Sequence, residues 1–202
     1  RNWSEELEQG KKEWNDLLSR ATKMVIPDDG VLNAYNACLA DLFIMREPIS
    51  GGRMVAVPGT ECYRAGASGE PVISAIALDQ NGFHNEAMNA VSASIDMQEP
   101  DGNWADAKGW MHSMWVGPGF KSWFILNHYR LTGDKDFLTE VYPRMLASSR
   151  FQEKQRARSR NAEGEESMTY GLMPRGFGDC GMMNGDDYYG VFIPHNIWSV
   201  YA

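Results

Sequence analysis

Acidic side chains set among glycines and aromatics are the part of this chain best suited to chemistry. The stretch TYGLMPRGFGDCGMMNGDDYYGVFIPHNIWSVYA, residues 169–202, carries Asp179, Asp186 and Asp187 among Tyr170, Leu172, Met173, Phe177, Tyr188, Tyr189, Val191 and Phe192. A solvated tail lacks such apolar residues, and a long loop within a domain is usually either functional or disordered. The segment therefore reads as a packed loop that presents an acid to a ligand. Asp179 stands in Gly-Phe-Gly-Asp-Cys-Gly, where glycine lets the backbone approach a bound molecule closely. A carboxyl group placed this way suits general acid or base work, while Asp beside Gly is equally an ordinary turn residue. Asp186 and Asp187 are runners-up to Asp179 for that acid, or surface-turn residues or contacts to a bound cation. A second loop, PDGNWADAKGWMHSMWVGPG at 100–119, sets Trp104, Trp110 and Trp115 with His112 in glycine-rich, polar surroundings.

The elements around these loops are helical. Ser4 is placed to cap a first helix, with Glu5 and Glu6 in its first turn and an apolar stripe from Leu7 through Trp14 and Leu18 to Val25. Residues 31–45 are apolar on nearly every face, which predicts a buried helix. Residues 46–68 read as a loop. Glu70–Pro71 opens a third helix that ends at Asn81–Gly82, because proline suits the first helical turn and glycine the position beyond the last. An amphipathic helix over 85–98 follows, then an apolar one over 120–131 and a polar helical stretch over 135–158. Pro143 is expected to divide that last stretch, since its nitrogen has no proton to donate. A further helix starts at His195–Trp198.

Connection lengths turn this order into a topology. Short turns at 27–30, 81–82 and 132–134 alternate with long connections at 46–68, 100–119 and 160–194. In an up-and-down array the three long connections share one rim and the tight turns the other. Helices 31–45, 72–80 and 120–131, with the one near 196, would form an inner ring and the amphipathic helices an outer one.

Composition bounds the partners. A net charge of −8 over 202 residues argues against non-specific binding to nucleic acid or to an anionic membrane surface. No apolar run approaches the roughly 20 residues of a membrane span. Cys38, Cys62 and Cys180 are odd in number and show no Cys-x-x-Cys spacing, so neither a disulfide framework nor a zinc site is indicated. The four histidines are too scattered along the sequence for a metal cluster, and His128 reads as a packing residue of its helix. Length predicts that 1–202 is one domain or part of a larger one.

The run PGTECYRAGASGEPVISAIALDQNGFHNEAMNAVSASIDMQEPDGNW, then HYRLTGDKDFLTEVYPRM, then YGLMPRGFGDCG and DDYYGVFIPHNIWSVYA, resembles the (α/α)6 toroid, or six-hairpin, glycoside hydrolases. The likeness is to the branch with processing α-glucosidases, trehalases, glucoamylases and α-rhamnosidases, and it covers about three and a half of six hairpins. It implies an all-α fold of which this chain is roughly the N-terminal half, acting by inversion on α-linked glucosides or related neutral sugars without a cofactor or metal. Inversion needs an acid for the leaving oxygen and a second carboxylate that activates water. Asp179 matches the acid in position, and the resemblance puts its partner beyond Ala202. Glu70 matches an acid that grips sugar hydroxyls, or is an ordinary first-turn Glu favoured by the helix dipole. Glu61, Arg64 and Arg175 join the substrate-binding set. Pyranose C–H faces stack on aromatic planes, so at least one of Trp104, Trp110 and Trp115 is expected to line a sugar subsite, with His112 on a hydroxyl. The alternatives are a polysaccharide lyase on a similar toroid, with a Tyr/His base and Arg/Lys facing a uronate, or a non-catalytic carbohydrate-binding or scaffold protein.

On this reading a toroid cut near its middle bares the apolar sides of its end helices, and exposed apolar surface drives association. Residues 1–202 purified alone should therefore self-associate and fail to hydrolyse aryl α-glucosides or trehalose. A stable monomer with turnover would contradict the reading.

Overall fold

The computed structural model describes residues 2–59, 61, 64, 69–104, 114–178 and 189–202. Helix α1, Trp3–Leu18, is capped by Asn2, whose side chain accepts from the Ser4 amide at 3.2 Å, so the cap lies two residues before the expected Ser4 and the helix stops short of residue 25. Helix α2, Asp29–Ile44, starts where the Asp28 carboxylate accepts from the Val31 amide. The expectation that this apolar helix is buried is corrected. Only Leu39 and Phe43 are buried, whereas Val31 is 55% and Ile44 56% exposed. Its helix neighbours are α1 and the third helix, which cover one stripe and leave the rest open.

The next segment, expected as loop, contains an antiparallel hairpin. Strand β1, Arg46–Pro48, pairs with β2, Met54–Ala56, across a 3-10 turn at Ser50–Gly52. Gly51 and Gly52 both take positive φ there, which explains the Gly-Gly pair. Helix α3 spans Glu70–Gln80 with Pro71 in its first turn, and α4 spans His84–Asp96. Helix α5, Gly117–Thr132, closes on Gly133 in the left-handed conformation. Helix α6, Lys135–Glu163, is capped by Asp134 and runs straight through Pro143, so the expected division does not occur. Proline removes one amide donor from a helix. Here Leu138 and Val141 before it and Met145 after it all pack on the core, which holds both sides in one helix. A second hairpin, β3 (Gly176–Phe177) with β4 (Tyr189–Gly190), leads into α7, Ile193–Trp198.

Helix α3 lies between α2 and α5, and α5 continues the row to α7, while α1 covers α2, α4 covers α3 and α5, and α6 covers α5. One apolar core joins Leu39 and Phe43 of α2 to Val72, Ala75 and Leu78 of α3, Ala87 and Val91 of α4, and Phe124 and Ile125 of α5. The ends of the helices differ in character. At one end the Thr22 amide donates to the Asn81 carbonyl, Tyr35 donates to the Asn81 side chain, and Asp79 meets His128. At the other end Arg53 pairs with Asp96 at 2.9 Å, and the Trp115 indole donates to the Pro174 carbonyl. The described parts of the three long connections thus share one end, as the alternation of connection lengths predicts.

Helix α7 is locked to α5 by close approach. A Cβ on Gly119 would overlap the Trp198 carbonyl, and the Trp198 ring stacks on Phe120 at 4.0 Å between centroids. In a free helix Gly→Ala stabilises by about 0.5–1 kcal/mol, but here the overlap dominates. Gly119→Ala should lower the unfolding free energy by about 1–3 kcal/mol, read as a fall in the urea midpoint at unchanged slope. An unchanged or higher midpoint would contradict the α5–α7 contact.

Candidate functional site

The long-connection end holds a cleft of about 310 Å³ whose walls come from the second and third long connections and from the last turns of α6. One wall is the tight turn at 99–103. Asp101 accepts from the Asn103 amide at 2.9 Å, and Gly102 sits at φ 92 so close to α6 that any side chain would overlap the Ala147 carbonyl. Trp115 forms the floor, 7% exposed, with its ring 6.1 Å from Phe151 and its indole nitrogen donating to the Pro174 carbonyl. Arg158 and Gln155 of α6 line the opposite side and are bonded to each other at 2.8 Å. The mouth is Arg175 with Tyr189, the Arg175 guanidinium donating to the Tyr189 carbonyl at 2.6 Å and lying 5.8 Å from its ring centroid. Two guanidiniums, a carboxylate and two amides around an aromatic floor suit a polyhydroxylated ligand of modest size.

The residues expected from sequence fall into three groups. Trp115 and Arg175 are brought together at the cleft. Trp104 is not: it is wholly buried, its indole donates to the Ile95 carbonyl at 3.0 Å, and the Trp104 carbonyl accepts from the buried Lys121 ammonium at 2.7 Å. Its face packs in the helical core, so the expectation that it offers a stacking plane to a sugar is corrected. Glu61 is exposed, and exposed Arg64 forms an ion pair with Glu47 of β1, away from the cleft lining. Glu70 opens α3 as expected, and its side chain is not described. Asp179, Trp110, His112, Asp186 and Asp187 lie outside the described residues.

Sequence reading missed Asn103, Gln155, Arg158 and Tyr189. For Gln155 a signal existed. Ser148, Gln152, Gln155 and Ser159 recur at helical spacing and are all buried, so α6 turns an uncharged polar stripe inward. The Ser148 hydroxyl and both ends of the Gln152 amide have no hydrogen-bond partner among the described residues.

Behind the β3–β4 hairpin sits His195, 1% exposed, with Phe192 edge-on at 5.3 Å. Burial, opposed by a hydrogen bond with the Phe177 backbone, pushes its pKa down to about 4. Its Nδ1 has no partner among the described residues.

The opposite, tight-turn end holds a second constellation. The Asp79 carboxylate is buried and faces His84 Nδ1 at 2.6 Å and His128 Nδ1 at 3.1 Å. Burial alone would raise the Asp79 pKa, but the hydrogen bonds from His128 and His84 outweigh it and hold the group below its ordinary value. The histidines that look scattered in the sequence are therefore partly gathered by the fold, and His128 is a polar partner as well as a packing residue. Compared with known proteins, the chain matches no family model, no curated protein and no solved structure.

The buried His195 makes stability depend on pH with a defined sign. Its folded pKa of about 4 lies below the unfolded 6.5, so between those values the unfolded chain takes up a proton that the folded chain refuses. Stability is fully present above pH 6.5 and falls as the pH drops toward 4, by on the order of 3 kcal/mol from this group. Urea midpoints measured across this window should show that slope in the native chain and a flatter one in His195→Gln. Parallel slopes would contradict the burial of a neutral imidazole.

Proposed function

We propose that the chain is part of a glycoside hydrolase built as an (α/α)6 toroid, with its substrate at the long-connection end. The observation that carries the reading is the order of neighbours. Helices α2, α3, α5 and α7 follow one another as neighbours in sequence order, with α1 packed on α2, α4 on α3 and α5, and α6 on α5, an order of neighbours that suits successive hairpins of a closing ring. The second and third long connections, with α6, line a polar cleft with an aromatic floor, the kind of place a ring of hairpins leaves for a sugar.

In this mechanism Asp179, two residues after β3, protonates the leaving glycosidic oxygen, and a second carboxylate activates the water that attacks from the opposite face of the sugar. Trp115, Asn103 and Arg175 hold the sugar ring and its hydroxyls. The substrate class is an α-linked glucoside or a related neutral sugar. One observation favours a second reading: Arg158, Arg175 and Tyr189 lie together at the cleft, and paired guanidiniums with a phenol suit a uronate and its proton abstraction in a lyase.

A single substitution separates these readings from a binding-only role. In the full-length enzyme, Asp179→Asn should cut turnover of aryl α-glucosides or trehalose by about 10²–10⁴-fold, the range for loss of a positioned general acid, while binding of a glucose-based inhibitor is kept. Equal turnover in the native and variant proteins would overturn the role of Asp179. Release of an unsaturated uronate from an acidic polysaccharide, with α-glucosides untouched, would establish the lyase reading instead.

A further inference from the structure

The cluster at the tight-turn end goes beyond the proposed sugar site and is independent of it. We infer that Asp79, His84 and His128 form a binding site for one divalent transition-metal ion of the Zn²⁺ class, a clamp across the ends of α3, α4 and α5.

Three observations carry the inference. The first is convergence from three elements. Asp79 lies in the last turn of α3, His84 is the first residue of α4, and His128 lies in the last turns of α5, yet one ligand atom from each falls within 4.8 Å of the others. Both imidazoles point the same nitrogen, Nδ1, at one carboxylate, at 2.6 and 3.1 Å. Two imidazoles with one carboxylate is a donor set that suits Zn²⁺ and its neighbours in the first transition row rather than Ca²⁺ or Mg²⁺, which favour all-oxygen shells.

The second observation is the surroundings of His128. Its ring is 2% exposed, stacked on Phe124 at 5.7 Å and edge-on to Phe137 at 5.5 Å. That packing fixes the ring so that Nδ1 faces Asp79 and Nε2 faces Asp134 Oδ2 at 3.9 Å. Metal-binding histidines commonly offer their second ring nitrogen to a carboxylate, which sets the tautomer. Asp134 is itself held in place, because its other oxygen accepts from the Phe137 amide as the cap of α6.

The third is access. Asp79 is buried, but the His84 side chain is 45% exposed, so an ion can enter from solvent on the His84 side, and a water can complete its shell there. Without an ion, each Nδ1 carries a proton directed at the carboxylate. When the ion enters, each Nδ1 gives up that proton and the ring proton of the bound imidazole sits on Nε2, on His128 toward Asp134 and on His84 toward solvent. The two nitrogens and the Asp79 oxygens then face the ion.

The test uses Zn²⁺ and Co²⁺ alone on the chain stripped with chelator. The native chain is expected to retain one equivalent of Zn²⁺ after desalting, to unfold at a higher temperature as free Zn²⁺ rises, and to give visible Co²⁺ absorption typical of a nitrogen- and oxygen-bound ion. His84→Ala and His84→Gln change a half-exposed side chain, and circular dichroism checks that both fold. Each should weaken Zn²⁺ binding at least about 10-fold and remove the Co²⁺ bands. Asp134→Asn keeps the helix cap and should weaken binding by about 10- to 100-fold through loss of the carboxylate at Nε2. Substoichiometric retention by the native chain would overturn the inference and leave a purely hydrogen-bonded Asp–His–His cluster. Native-like binding in folded His84 variants would overturn it equally, by placing the ion elsewhere on the surface.

Discussion

The long-connection end depends on one buried indole. Among the described residues Trp104 is the largest side chain with no exposed surface, and it belongs to a connection, not to a helix. Its nitrogen donates to the Ile95 carbonyl, which also accepts from Arg144 of α6 at 2.7 Å, and the Trp104 carbonyl accepts from Lys121 of α5. Trp104 thus ties the end of α4 to α5 and, together with Arg144 of α6, satisfies a helix-terminal carbonyl. Replacing such a residue by a small one typically costs about 3–5 kcal/mol. The cleft walls at Asp101 and Asn103 are its immediate chain neighbours, so their position follows from where the indole is fixed.

The two ends of the helical row handle polarity differently. At the tight-turn end a buried carboxylate is answered by two imidazoles, with the Asn81 side chain bonded to Tyr35 and to the Ala77 carbonyl. At the cleft end the buried polar groups are mostly neutral: Ser148, Gln152, Gln155 and Ser159 along α6. A buried charge must be paired to be tolerated, whereas a neutral amide is content with a few hydrogen bonds. At the cleft end the buried Lys121 ammonium is answered by the Trp104 carbonyl, and the remaining charge is left at the surface, on Arg158, Arg175 and Asp101 around the opening.

Much of the fold was legible in the chain. Local signals placed α3, α4 and α5 within a few residues of their ends, because Glu70–Pro71, Asn81–Gly82 and Thr132–Gly133 act through backbone rules that need no distant partner. The alternation of short and long connections also anticipated which loops share an end, since an up-and-down helix order leaves little choice. The hairpin at 46–56 was missed because its strands are three residues each, too short to show period-two alternation. Helix α6 passes Pro143 for a reason that is not local, the packing of Leu138, Val141 and Met145 on one core.

The sequence by itself determined the helical class and the order of the helices, which follow from nearest-neighbour chemistry along the chain. Only the tertiary structure decided which buried cluster each loop aromatic joins, Trp104 the main helical core and Trp115 a smaller one with Phe151 and Met173. Trp104 and Trp115 look alike in a polar loop, and what separates them is the Ile95 carbonyl waiting for one indole and the Pro174 carbonyl for the other. It likewise decided that Asp79, His84 and His128 meet, although 44 residues separate the two histidines in sequence. Contacts of that span are set by how α3, α4 and α5 pack, and no local pattern encodes them.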